Sequence, residues 1–307
     1  MVNIPFDEIL FSELPSAISV INRIESRYKN FWKIKGNFLL ALSTGADPDR
    51  SLVNFERLLE NYGPSLVDWL YENPRVIEIL VTLFSASHFL TEILLRNPQS
   101  ISLLLDRQEL TRRKTIEQIQ SEAEAVIRSG KSDLDKKDAL RLYQQSELLR
   151  IGASDFLDFY DLRAVVSQIS RTAIALIRVA LNLASAQTGV SAAGFVVLAM
   201  GKLGGRELNY SSDIDLVFVT RDDPSRYIPL AQKVIDHLAS TTTNGFLYRV
   251  DMRLRPWGND GPLIPTLTGF KKYLQNNARL WEIQALLKVR PVAGDLSLGE
   301  ELRDYAF

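Results

Sequence analysis

A chain of 307 residues, 46% hydrophobic and 24% charged, has the balance of a globular protein able to bury a sizeable core. Its formal net charge of −1 supplies no global basic field for nucleic acid or anionic membranes. The absence of cysteine excludes disulfides, thiolate catalysis and zinc–cysteine sites, and fits a reducing cytoplasm.

Met1 to Leu10 lacks a basic region followed by an apolar one, so no signal peptide is expected there. No uncharged apolar run is long enough to span a bilayer; the longest, Ala192 to Met200, suits a buried strand. Phe6 to Lys35 carries apolar residues at helical spacing, interrupted by Pro15. Asp47-Pro48 reads as a helix start, with Leu52, Phe55, Leu58 and Leu59 on one face and Gly63-Pro64 as the stop. Asn73-Pro74 and Asn97-Pro98 repeat that punctuation. His88 sits in an apolar helical context and predicts a packing or capping role. Glu109 to Lys137 is strongly charged, and Ser129-Gly130-Lys131-Ser132 is the best break between sub-domains, giving a helical region over 1–130 and a second domain over 131–307. Tyr160 to Ala186 predicts a long helix with a broad apolar stripe. Phe195 to Met200, Asp213 to Thr220 and Leu247 to Leu254 predict three strands, with helices over Ile228 to Thr241 and Phe270 to Leu287. The fold class is therefore α+β: a helical N-terminal region, then a small mixed sheet flanked by helices.

Three features of the second domain carry chemistry. In Asp213-Ile214-Asp215, strand alternation points both carboxylates to one side. Paired carboxylates repel and are costly to desolvate, and a bound Mg²⁺ removes both penalties. Alone, such a pair is usually a solvated strand end. Gly201-Lys202-Leu203-Gly204-Gly205 follows a strand, where glycines let backbone N–H groups approach phosphate; its spacing is not that of a Walker loop. Val250-Asp251-Met252-Arg253-Leu254-Arg255, if a strand, puts Asp251, Arg253 and Arg255 on one face, a third carboxylate with two phosphate-binding guanidinium groups. Taken alone, each has an ordinary structural explanation. Their order is more specific, and it resembles the polymerase β-like nucleotidyltransferase superfamily, whose three carboxylates hold two metal ions.

Longer strings sharpen the resemblance. Met200 to Leu216, Tyr248 to Pro256 with Gly261-Pro262-Leu263, and Trp281-Glu282 through Lys288 to Asp295 resemble the bifunctional glutamine synthetase adenylyltransferase/adenylyl-removing family, as does Leu148 to Ile151. That resemblance implies a regulator of nitrogen assimilation with glutamine synthetase as partner and the PII signal protein as a further one. One unit of such an enzyme attaches AMP to a tyrosine using ATP; the other removes it with phosphate, giving ADP. Glu207-Leu208-Asn209 with Ser212 to Asp215, and Lys288 to Asp295, look more like the removing unit. Carried over, Asp213, Asp215 and Asp251 would be catalytic and hold Mg²⁺, two ions in all. Gly201, Lys202, Gly204, Gly205, Ser212, Arg253, Arg255, Lys288 and Arg290 would bind phosphates, and Glu282 would either orient one of these cations or form a helix-surface ion pair. The forward transfer of AMP from ATP stays open. A nucleotidyltransferase acting on nucleic acid is disfavoured by the near-neutral charge, and a catalytically idle interaction module by the intact carboxylates. The sequence stops at Phe307 without a second catalytic unit, so both a piece of a longer enzyme and a short relative stay open. Neither nucleic acid nor membrane is an expected partner.

Overall fold

The computed structural model describes residues 8–306. The part of the N-terminal readings that falls on residues 1–7 lies outside them, as does Phe307. By internal contacts the chain forms two compact units, one running to Arg112 and including Gln145–Asp161, the other Arg113–Gln144 with the chain from Leu162 onward. The Asp133–Phe156 helix therefore gives residues to both. The segment 129–132 is a turn between that helix and Ile116–Ile127, within the second unit.

The regular elements of the first unit are all helices among its described residues. Asp47 caps the Pro48–Tyr62 helix by accepting from the Arg50 N–H at 2.9 Å, and Gly63, at φ +90°, ends it. Pro15 lies in the first turn of Leu14–Arg27, where proline costs no hydrogen bond. The break in the predicted Phe6 to Lys35 helix comes instead at 28–31, before Trp32–Thr44. Asn97-Pro98 opens a 3₁₀ segment, Pro98–Leu105, rather than an α-helix. Phe38 stacks on Phe55 at 4.1 Å between ring centres, with Phe31 edge-on to Phe38. The expectation for His88 fails: its ring is exposed in the first helical turn, and Ser87 is the cap, accepting from Leu90 N–H.

The second unit holds the sheet. Strands β1 (Phe195–Ala199), β2 (Ile214–Thr220), β3 (Val250–Asp251) and β4 (Arg290–Gly294) lie in the order β3-β2-β1-β4. β1 runs antiparallel to both β2 and β4, and β2 runs parallel to β3, so the sheet is mixed as expected. Every residue of β1 is buried, which explains its continuous apolar run. On one face Val196, Leu198, Val217 and Val219 pack with Leu267, Phe270, Leu298 and Leu302. On the other, Phe195 packs against Phe218 and Tyr227 at 5.3 and 5.6 Å. The Leu162–Thr188 helix is long and apolar enough in composition to cross a membrane, yet 78% of its most apolar stretch is buried in the fold. It packs against the Ile116–Ile127 and Ile228–Ala239 helices, and its Arg178 donates to Val292 O on β4 at 2.8 Å.

Candidate active site

The site is built at the ends of β1, β2 and β3. β1 ends at Ala199, and Met200 N–H donates to Asp215 O at 2.9 Å before the chain turns through one helical turn, Gly201–Gly204. Gly201 adopts φ +52°, and a Cβ there would lie 2.3 Å from Asp215 Oδ2. Glycine is thus required twice, by the backbone and by the carboxylate packed against it. A Cβ at Gly204 would lie 2.0 Å from Lys288 O. Leu208 N–H donates to Ser170 Oγ at 3.0 Å, which fixes the segment leading to β2. In that segment Ser212 Oγ donates to Asn209 Oδ1, with Lys202 Nζ at 3.4 Å from Ser212 Oγ.

The parallel pairing of β2 with β3 sets Asp215 directly opposite Asp251. Asp215 is half-buried, and burial, followed by repulsion from Asp251 and Asp213, raises its pKa above the ordinary carboxylate value. Asp251 shifts the other way, chiefly because Arg253 hydrogen-bonds it. Arg253 Nε lies 2.9 and 3.0 Å from the two carboxylate oxygens, and its backbone N–H donates to Asp251 Oδ1 at 2.8 Å. That last bond is why the predicted Leu247 to Leu254 strand shrinks to Val250–Asp251. The Asp251 side chain takes the N–H that a strand would use for its ladder, and the chain turns away. Arg253 therefore folds back on Asp251 instead of standing two places along a shared strand face. Asp213, just before β2, is exposed and accepts from Arg249 Nε, whose Nη2 also donates to Ser211 O at 3.0 Å.

The remaining expected anion binders are spread around this centre. Arg255 donates to backbone carbonyls, Met252 O at 2.6 Å and Asn259 O at 3.3 Å, and so braces the loop after β3. Arg290 Nε donates to Gly204 O at 2.9 Å, tying β4 to the glycine turn. Lys288 Nζ pairs with Glu207, beside which Gly205 sits. Glu282 accepts from Tyr273 Oη at 2.5 Å and from Arg279 N–H at 2.8 Å, so its bonds are to a phenol and a backbone amide. It lies on the Leu280–Leu286 helix, which a break at 277–279 separates from Leu267–Asn276; the predicted Phe270 to Leu287 helix is thus two helices.

Two features were not assembled from sequence: Arg249, and a cleft of which only Arg253, Glu282 and Trp257 drew notice, Trp257 for packing in preference to flanking the nucleotide. Arg249 stands two residues before Asp251, an alternation that could have placed it beside the carboxylates. The cleft, of about 480 Å³, is lined in part by Arg253, Trp257, Tyr273, Asn277, Arg279 and Trp281. No local pattern signals the whole of it, because its walls come from two stretches, 253–260 and 273–282.

The oxygen-only donors Asp213, Asp215 and Asp251 suit a hard divalent cation, and the raised pKa of Asp215 marks the burial, and then the repulsion, that such a cation would offset. Among the described residues no three acidic or histidine side chains already converge as a ligand set. The outer two carboxylates are held by Arg249 and Arg253.

Comparison with known proteins gives the family. The family described as GlnE, glutamate-ammonia ligase adenylyltransferase, matches residues 77–304. Similar proteins named bifunctional glutamine synthetase adenylyltransferase/adenylyl-removing enzyme include those of Chromobacterium violaceum, 34% identical over 76% of this chain and 27% of the relative, and Streptomyces avermitilis, 34% identical over 86% and 27%. The protein of Shewanella frigidimarina is 32% identical over 89% of this chain and 32% of its own. The chain belongs to the glutamate-ammonia ligase adenylyltransferase family. It spans roughly a quarter to a third of the length of these relatives.

Proposed function

We propose that this site is a metal-dependent nucleotidyltransferase that removes AMP from a tyrosine of glutamine synthetase by phosphorolysis. The observation that carries the reading is Asp215 opposite Asp251 in strand register, with Asp213 two residues before Asp215 and a guanidinium group on each of the outer two carboxylates. Asp213, Asp215 and Asp251 would hold Mg²⁺, two ions in all, and the metal would stabilise charge on the transferring phosphoryl group. Arg249 and Arg253 are on exposed, flexible side chains, 61% and 72% accessible, so each can exchange its carboxylate for a phosphate oxygen. The glycine turn, Lys202 and Ser212 would cradle phosphate, while Arg290 and Arg255 hold the turn and the β3 loop in place. Lys288, paired with Glu207, joins the two sequence strings that resemble the removing unit and is the candidate to hold inorganic phosphate.

In the reaction an oxygen of inorganic phosphate attacks the AMP phosphorus and the bond to the tyrosyl oxygen breaks. The products are ADP and a free tyrosine. No side chain forms a covalent intermediate; the chain supplies positioning and charge. The reading carries with it a cytoplasmic compartment and regulation of nitrogen assimilation, with PII as a further partner and neither nucleic acid nor a membrane as one. The names of the relatives also contain the forward reaction, attachment of AMP from ATP, which the same centre could perform. Incubation with adenylylated glutamine synthetase, phosphate and Mg²⁺ distinguishes the two: ADP release supports removal, and AMP incorporation from ATP into unmodified synthetase overturns it.

A further inference from the structure

We propose that the cleft beside Arg253 is a purine pocket, in which Trp257 and Trp281 hold the adenine ring of the AMP group while Arg253 meets its phosphate. The proposal rests on the nucleotidyl reading of the carboxylate centre. Trp257 and Trp281 are half exposed, at 49% and 52%, and both line the cleft. Half-exposed indoles in a concave site offer faces for a flat ring. Trp257 adopts φ +60°, a left-handed conformation that is an outlier for so bulky a residue. Such strain persists where the surroundings enforce it, and it is concentrated at ligand clamps. Here the surroundings are visible: Trp257 packs edge-on against Tyr273 at 4.6 Å between ring centres, and Tyr273 is itself pinned by its bond to Glu282.

The polar groups select among flat rings. The Asn277 amide makes no side-chain hydrogen bond among the described residues, and with the exposed Asp260 it offers acceptors for an exocyclic amine. An amide can both accept from and donate to an adenine edge; a phenol ring has no such edge. At the other end Arg253 spans the two regions, lining the cleft while bonded to Asp251. A nucleotide whose base lies in the cleft against the indoles is thereby directed with its phosphate toward the carboxylates.

The test is equilibrium binding of AMP to the intact chain, followed by calorimetry, with ribose 5-phosphate and O-phosphotyrosine as comparison ligands. Trp281→Ala, on an exposed helical position, and Trp257→Gly, which tolerates the positive φ, should each weaken AMP binding roughly tenfold. Ribose 5-phosphate, which lacks the ring, should bind more weakly than AMP and be unaffected by either change. Unchanged AMP affinity in both variants overturns the proposal. So does O-phosphotyrosine binding as tightly as AMP with the same sensitivity, which would assign the cleft to the tyrosyl ring. Because no turnover is measured, loss of this pocket is distinguishable from failure of the phosphorolysis reading, which the ADP assay tests separately.

Discussion

Asp215 is a partly buried carboxylate among like charges in the second unit. It is half-buried, faces Asp251 across the strand pair, and feels Asp213 two residues away. Removing its charge should separate activity from stability. Asp215→Asn should lower turnover at least about a hundredfold, the scale of losing one charge-organising group at a phosphoryl centre. In chelator the same variant should melt higher than the wild type, because the repulsion is gone. Added Mg²⁺ should raise the melting temperature of the wild type and leave that of the variant nearly unchanged; differential scanning fluorimetry reads all three. Gly201 is the complementary case. Gly201→Ala forces a methyl group against Asp215 at a left-handed backbone position. It should cost about 1–2 kcal/mol from the backbone alone, measured by urea unfolding, and abolish turnover by displacing the carboxylate.

At the scale of elements, what could be read from sequence follows from what is local. The Pro48–Tyr62 helix was legible because its cap and its stop lie within the segment. β1 and β2 were legible because burial on both faces leaves continuous apolar runs. The third strand was overextended because a side-chain bond, Arg253 N–H to Asp251, competes with the ladder. β4 gave no strand signal, since Pro291 and Gly294 are poor strand formers; it is tolerated at the sheet edge with a register shift between Val197 and Leu198. The juxtaposition of Asp215 with Asp251 follows from alternation plus one parallel pairing. The Trp257–Trp281 cleft does not, because it needs the stretches 253–260 and 273–282 brought together in space. His237, on the Ile228–Ala239 helix, is buried and has its own consequence. Its Nε2 lies 2.9 Å from Gln187 Oε1, and burial lowers its pKa to about 4 despite Asp133 nearby; Lys233 and Lys137 also disfavour its charge, and Asp236 favours it. A histidine held neutral in the fold stabilises fully above its unfolded pKa, near 6.5, and that contribution is lost as pH falls toward 4. Stability should therefore decline across this window by up to about 3 kcal/mol. His237→Gln should flatten the decline in pH-dependent urea melts.

At the scale of the whole molecule, the fold brings the glycine turn, the acidic strand ends and a cleft of about 480 Å³ into one unit. The most direct measurement is chromatographic detection of ADP after the chain is mixed with adenylylated glutamine synthetase, inorganic phosphate and Mg²⁺. The account predicts ADP that accumulates with time, requires phosphate, stops on chelation and is lost in Asp213→Asn. Absence of ADP, together with AMP incorporation into unmodified synthetase from ATP, would contradict it.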